Sequence, residues 1–293
     1  EQLKAWFPKR QKRDGAPKFR LVCFHNAGSA ESIYTGRGMR QSQDNPFVKH
    51  CAAAGGELLC PELPGREARR KDARSTSLRP YAEALFPVLA PLLQDGVPYA
   101  MVGHSMGTWM TYEFTKLLAE KGIPLPKQLV ISGFPAPSIP VKDRPWSKNV
   151  PMDDPAFMDE CRGWNVNEIV FQGANWKTFS PMMRDDFTLF DEYEYTPPPA
   201  FLKKGELPVK ITTRYFTDDK RCKKEHLMMW QAFTSEKVSF SCEECEGNRC
   251  RWWLSSGDAM VLNDAWNHNH SHGIPPVTHD ECGPRISIAM LCA

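Results

Sequence analysis

The 293-residue sequence predicts an α/β protein: a mostly parallel central sheet with helices on both faces and an inserted helical lid. Three observations predict it. Short apolar runs of strand length recur along the chain, and amphipathic patterns of helical period lie between them. The stretch at about 135–207 is too long for a plain crossover and carries helical periodicities of its own.

Residues 1–16 read as a basic tail, in which Lys9, Arg10, Lys12 and Arg13 run into the turn at Asp14-Gly15. Residues 19–24 form the first strand, closed by the loop His25-Asn26-Ala27-Gly28-Ser29. Residues 57–61 form a second, leading into Leu63-Pro64-Gly65-Arg66-Glu67. Ala84, Leu85, Val88, Leu89 and Leu92 mark a helix over 80–93 that Pro87 and Pro91 kink or interrupt. Residues 99–103 are a third strand, and Met106, Trp109, Met110, Phe114, Leu117 and Leu118 place a helix over 106–120. Residues 128–133 and 209–216 supply the fourth and fifth strands, and the period-two alternation of 237–242 a sixth. Inside the insertion, Asp153-Asp154-Pro155 signals a helix start, and Met183, Phe187 and Phe190 mark a helix over 182–195. One domain over 17–247 accounts for all of these, with an irregular tail rich in Cys, His and Trp over 248–293.

Hydrophobic residues make up 41% of the chain and charged residues 25%, with a net charge of +2. That is an ordinary globular profile, with no electrostatic bias toward nucleic acid. No apolar run approaches the roughly 18 residues of a membrane span. Residues 1–15 also lack the apolar segment of a secretory signal, so a cytoplasmic location is expected. Cys23, Cys51, Cys60, Cys161 and Cys222 fall singly in core elements and read as reduced thiols.

Chemistry concentrates at Gly103-His104-Ser105-Met106-Gly107, between a buried strand and an amphipathic helix. A serine on such a corner needs glycine two residues to either side, because the strained backbone and the packed helix leave no room for a Cβ. The corner lifts the hydroxyl clear of the sheet. The helix start behind it aims N–H groups, that of Met106 among them, at a developing oxyanion. This is the nucleophile elbow of an α/β-hydrolase fold, with Ser105 the nucleophile.

Three motifs in order, Phe24-His25-Asn26-Ala27-Gly28-Ser29, Leu63-Pro64-Gly65-Arg66-Glu67-Ala68-Arg69 and Gly103-His104-Ser105-Met106-Gly107, make the sequence resemble type II thioesterases. That family is similar to the oleoyl and medium-chain acyl-carrier-protein hydrolases. Pro181-Met-Met-Arg184-Asp185-Asp186-Phe187 resembles the family's lid helix, and Asp219 with Trp230 eleven residues on resembles its acid and downstream tryptophan. The resemblance spans about 19–247 and implies release of acyl groups from the phosphopantetheine arm of an acyl carrier protein, with no cofactor. It implies a second oxyanion N–H at Ala27 and an orienting acid at Asp219, with Asp218 as the rival. Asn26 and Ser29 depart from the family's usual loop. Phe157, Met158, Trp164, Phe171, Trp176, Met182, Met183 and Phe187 are available either to line an acyl channel or to form the lid's own core. Arg66, Arg69, Arg70 and Lys71 either steer an acidic carrier protein or form a solvated face. A generic carboxylesterase and a non-catalytic carrier-protein or acyl-chain binder are the competing functions.

The resemblance breaks where the family has G-x-H. This chain has Gly247-Asn248-Arg249, and an arginine offers no lone pair with which to take the serine proton. No residue is assigned as general base. A tail histidine (His268, His270, His272 or His279) could fill the vacancy; the tail could derive from a shifted frame or mis-spliced gene; or the chain could be a pseudoenzyme. Cys242-x-x-Cys245 stands too far from His268-x-x-x-His272 for the usual finger spacing, so no metal is expected.

Overall fold

The structure, a computed structural model, describes residues 1–10, 15–36, 45–202, 206–217, 219–246 and 249–252, the last two segments from residue 240 onward as backbone only. In chain order the elements are α1 (Gln2–Trp6), β1 (Phe19–Phe24), α2 (Ser32–Thr35), α3 (Pro46–Ala54), β2 (Gly56–Leu59), α4 (Leu78–Leu89), β3 (Tyr99–His104) and α5 (Met106–Glu120). There follow β4 (Gln128–Ser132), α6 (Asp154–Gly163), α7 (Ala174–Asp191), β5 (Lys210–Phe216), α8 (Lys224–Met228), β6 (Ser239–Glu246) and β7 (Arg249–Trp252).

Among the described residues, seven strands form one sheet in the order β2-β1-β3-β4-β5-β6-β7. Strands β1 to β6 pair in parallel, and β7 runs antiparallel to β6, opposing Arg249 to Glu246. The parallel interior explains the unbroken apolar runs: β1 is buried at all six positions because helices cover both faces. All five singly placed cysteines of the core are free and buried, as their scatter predicts.

Helix α5 fills the centre of the larger core, with every residue from Met106 to Ala119 buried. Its buried Lys116 pairs with Glu113 at 2.7 Å, and Tyr193 donates to the same carboxylate at 2.5 Å. Helix α4 carries Pro87 and passes at Ala90 into a 3-10 turn that begins with Pro91 at its second position. This is the interruption the two prolines predict. Asp153 caps α6, its carboxylate accepting from the Ala156 N–H at 2.9 Å.

Three local features differ from the sequence reading. Helix α7 begins at Ala174 and continues through Pro181, because an apolar stripe of Trp176, Met183, Phe187 and Phe190 is buried along it and outweighs the local cost of the proline. The N-terminal segment is not wholly solvated: Trp6 and Phe7 are 5% and 3% exposed, and Arg10 pairs with Glu57 at 2.7 Å. Within the tail read as irregular, residues 249–252 are the paired strand β7. Of the tail histidines His268, His270, His272 and His279, and of Asp218, all lie outside the described residues; so do the side chains of Cys242 and Cys245.

Candidate active site

The parallel strands deliver their functional loops to one end of the sheet, the carboxyl ends of β1, β3, β4 and β5. Ser105 follows β3 directly and holds φ 52°, ψ −129°, a left-handed conformation that side chains other than glycine rarely adopt. Its N–H donates to the Ser132 carbonyl at 2.9 Å, which ties the corner to the end of β4. The flanking glycines are steric necessities. A Cβ at Gly103 would lie 2.4 Å from the Gly107 carbonyl oxygen, and one at Gly107 would lie 2.2 Å from that of Phe24. Close approach of α5 to β1 is therefore what exposes the serine, and Ser105 itself is half-buried.

The loop after β1 lies against this corner, since the same Cβ at Gly107 would also meet the His25 carbonyl at 2.8 Å. Among the described residues, neither the Ala27 N–H nor the Met106 N–H is taken up by a protein acceptor. The next N–H is taken: Gly28, at φ 73°, donates to Asp186 of α7 at 2.8 Å. Asp186 is also clamped by Arg66, at 2.7 and 3.0 Å, and Arg66 donates to the Ser29 carbonyl at 2.7 Å. The pair is almost completely buried. Met183, one turn earlier on α7, packs against Gly28. The lid helix, the loop of Arg66 and the loop of Ala27 are thus fastened together at one point. Arg66 therefore serves neither as a steering charge nor as part of a solvated face. Arg69 stacks on Trp6 at 4.1 Å while pairing with Asp72. Asp186 lies within the lid motif, but no local pattern pairs it with Arg66, 120 positions away.

Asp219 lies three residues beyond β5, partly exposed, and its Oδ1 accepts from the Arg221 and Cys222 N–H groups, both at 2.8 Å. Arg221 in turn reaches Glu160 of α6 at 2.7 Å and the Pro145 carbonyl at 3.0 Å, a second link between lid and site that no motif announced. Trp230 is fully buried and donates to the Phe134 carbonyl at 3.2 Å. The His104 ring contacts Ser132 Oγ at 3.1 Å; burial lowers its pKa, while the negative charge of Asp219 opposes that shift.

No histidine among the described residues engages the Ser105 hydroxyl. His25 bonds the Asn26 carbonyl at 2.9 Å, and burial lowers its pKa to about 3. His50 packs beside Phe19, and His226 accepts from the Lys223 N–H at 3.0 Å. Of the eight apolar lid residues singled out above, Phe157, Trp176, Met183 and Phe187 are buried within the main core, whereas Met158, Trp164, Phe171 and Met182 are only partly covered.

Comparison with known proteins supplies the family. The model for the thioesterase domain matches residues 19–247. The chain belongs to the thioesterase family. The gramicidin S biosynthesis protein GrsT of Aneurinibacillus migulanus is 30% identical over 196 residues, 66% of this chain and 70% of that one. The thioesterase PikA5 of Streptomyces venezuelae is 29% identical over 251 residues, 85% of this chain and 77% of that one. Among solved structures, the RedJ thioesterase of the prodiginine pathway in Streptomyces coelicolor superposes with a TM-score of 0.63 at 25% identity, covering 83% of this chain and 85% of that one. These relatives make this thioesterase one of the type II kind, an α/β-hydrolase fold whose enzyme class is thioester hydrolase. Among the described residues, no helix is long and apolar enough to cross a membrane.

Proposed function

We propose that this chain is a serine thioesterase acting on acyl groups carried on the phosphopantetheine thiol of an acyl carrier protein, in the release or editing steps of polyketide, nonribosomal peptide or fatty acid assembly. The observation that carries the reading is the Ser105 corner, a strained nucleophile flanked by two sterically required glycines and two uncommitted N–H groups. Ser105 Oγ attacks the thioester carbonyl carbon, and the Ala27 and Met106 N–H groups hold the resulting oxyanion. Collapse breaks the C–S bond, and the serine proton ends on the departing sulfur. Water then attacks the acyl-serine ester, releasing the acid and restoring the hydroxyl. Asp219 is the acid that would orient an imidazole serving both proton transfers.

In this family resemblance the imidazole belongs at the position Arg249 holds, and a guanidinium cannot relay the proton. The consequence is a chain whose nucleophile is built but whose turnover is slowed. Incubation with a fluorophosphonate followed by mass spectrometry tests the nucleophile: the expected result is an adduct on Ser105 that Ser105→Ala abolishes. An unmodified Ser105 would refute the catalytic reading. Arg249 also favours a second reading, a carrier-protein binder without catalysis. An acyl carrier protein that binds while its thioester stays intact and Ser105 stays unacylated would establish that one. Faster turnover of simple oxygen esters than of acyl-phosphopantetheine thioesters would instead point to a general carboxylesterase.

A further inference from the structure

Three glutamates outside the catalytic corner converge beside the loop of Ala27. Glu31 follows that loop, Glu62 follows β2, and Glu67 opens a short 3-10 turn over Glu67–Arg69. One carboxylate oxygen from each lies within 4.8 Å of the other two. Exposed carboxylates gather in this way at little cost, because water solvates each of them. Here a second observation applies. Glu62 is 0% exposed and neither of its carboxylate oxygens has a hydrogen-bond partner; Glu31 is 1% exposed and its Oε1 likewise has none. The Glu31 backbone N–H faces the Glu62 carboxyl without closing a hydrogen bond to it.

The neighbouring donors are spent elsewhere or fall short. Arg66 gives both terminal nitrogens to Asp186 and the Ser29 carbonyl, and its Nε is itself unpaired. Lys9 is exposed, and its charge acts on Glu31 without donating to any of the three carboxylates. Thr35 donates to Glu31 Oε2, and Ser32 donates to Glu67 Oε1 at 2.5 Å. Glu31 Oε1 and both oxygens of Glu62 remain for a ligand. Among the described residues, no protein donor closes a hydrogen bond to either oxygen of the buried Glu62, an arrangement that costs free energy unless a ligand completes it.

We propose that Glu31, Glu62 and Glu67 form a binding site for a hard divalent cation, calcium in preference to magnesium, which braces the base of the loop that carries Ala27. The donor set is all oxygen and anionic, which suits such ions and offers nothing to a thiophilic metal. Oxygens that lie within 4.8 Å of one another can share a single ion, and a partial protein shell completed by water meets calcium's irregular coordination at about 2.3–2.6 Å more readily than the near-ideal octahedron of about 2.0–2.1 Å that magnesium demands.

The test reads binding and melting, so it is independent of any acyl chemistry at Ser105. The full chain is stripped with a chelator, dialysed, and titrated with calcium chloride or magnesium chloride by calorimetry, with thermal melts in parallel. Saturable calcium binding with a rise in Tm is expected. Glu67→Gln, a change at an exposed position that leaves the fold intact, should weaken binding about tenfold or more, and Glu62→Gln should abolish it. Absence of saturable binding by either cation overturns the proposal, as does unchanged affinity in both variants. Tighter binding of magnesium than of calcium overturns the choice of ion. If Glu62→Gln raises Tm while the parent protein ignores both cations, the cluster is a set of carboxyls sharing protons and not a metal site.

Discussion

Ser105 is held at φ 52° by the backbone on either side, and a non-glycine residue in so sparsely populated a region costs on the order of 1–3 kcal/mol. Ser105→Gly should therefore raise the urea midpoint by an amount equivalent to about 1 kcal/mol while eliminating fluorophosphonate labelling, an opposition of stability and activity measurable on one sample. Gly107→Ala should do the reverse of stabilise. Its Cβ would lie 2.2 Å from a carbonyl of β1, a strand pinned between two neighbours, and a loss of about 1–3 kcal/mol or outright failure to fold is expected in the same denaturation experiment. Arg249→His tests the missing base directly: a gain of about 100-fold in acyl-thioester turnover is expected, read as release of free thiol. These residues were legible in sequence to different degrees for physical reasons. The glycine-serine-glycine spacing expresses a steric requirement that is local, so the string itself carries it. Asp219 could be named only through its spacing to Trp230. The Arg66–Asp186 pairing could not be read at all, because an ion pair between distant segments leaves no periodic trace.

Helix α7 is the element on which the lid depends. Its buried face carries Met183 and Asp186 to the loop of Ala27, and Phe187 and Phe190 to the aromatic cluster around Trp146 and Trp164. Asp186→Ala would strand the Arg66 guanidinium in a buried setting, and breaking such a pair costs about 3–5 kcal/mol. Equilibrium unfolding should show that loss, and Ser105 labelling should slow in the variant because Gly28 no longer has its anchor. The helix was only half legible. Its periodic apolar positions marked only the stretch from 182 onward, and the burial of Trp176 shows why the helix begins at Ala174 and runs through Pro181. Helix α1 escaped notice for the opposite reason: five residues are too few for a period, and only tertiary contact reveals that Trp6 belongs to the core.

At the scale of the molecule, several buried ionisable groups pull stability in different directions with pH. His25, lowered to about 3 from 6.5, opposes folding as pH falls through that interval, and Asp191, raised to about 6 from 3.8, opposes it as pH rises through its own. Glu62 is raised from 4.5 to about 8, so the folded state binds the extra proton and stability declines as pH rises through that window. Between pH 6.5 and 8 the His25 and Asp191 contributions are complete and that of Glu62 continues. Chelated protein should lose stability across this interval in denaturant titrations, and Glu62→Gln should flatten the slope. The parallel sheet was legible at this scale because strands covered on both faces must be apolar throughout. The cluster of Glu31, Glu62 and Glu67 was not, since three scattered glutamates share no ligand spacing that would point to a metal. The clasp of Arg66 on Asp186 has a further bearing on how such a lid can change. A lid grafted from a relative would arrive without the partner for its aspartate unless residues 26–29 and 62–70 travelled with it, so these three segments must be exchanged as one unit, and substrate range can shift only by substitutions that leave that joint intact.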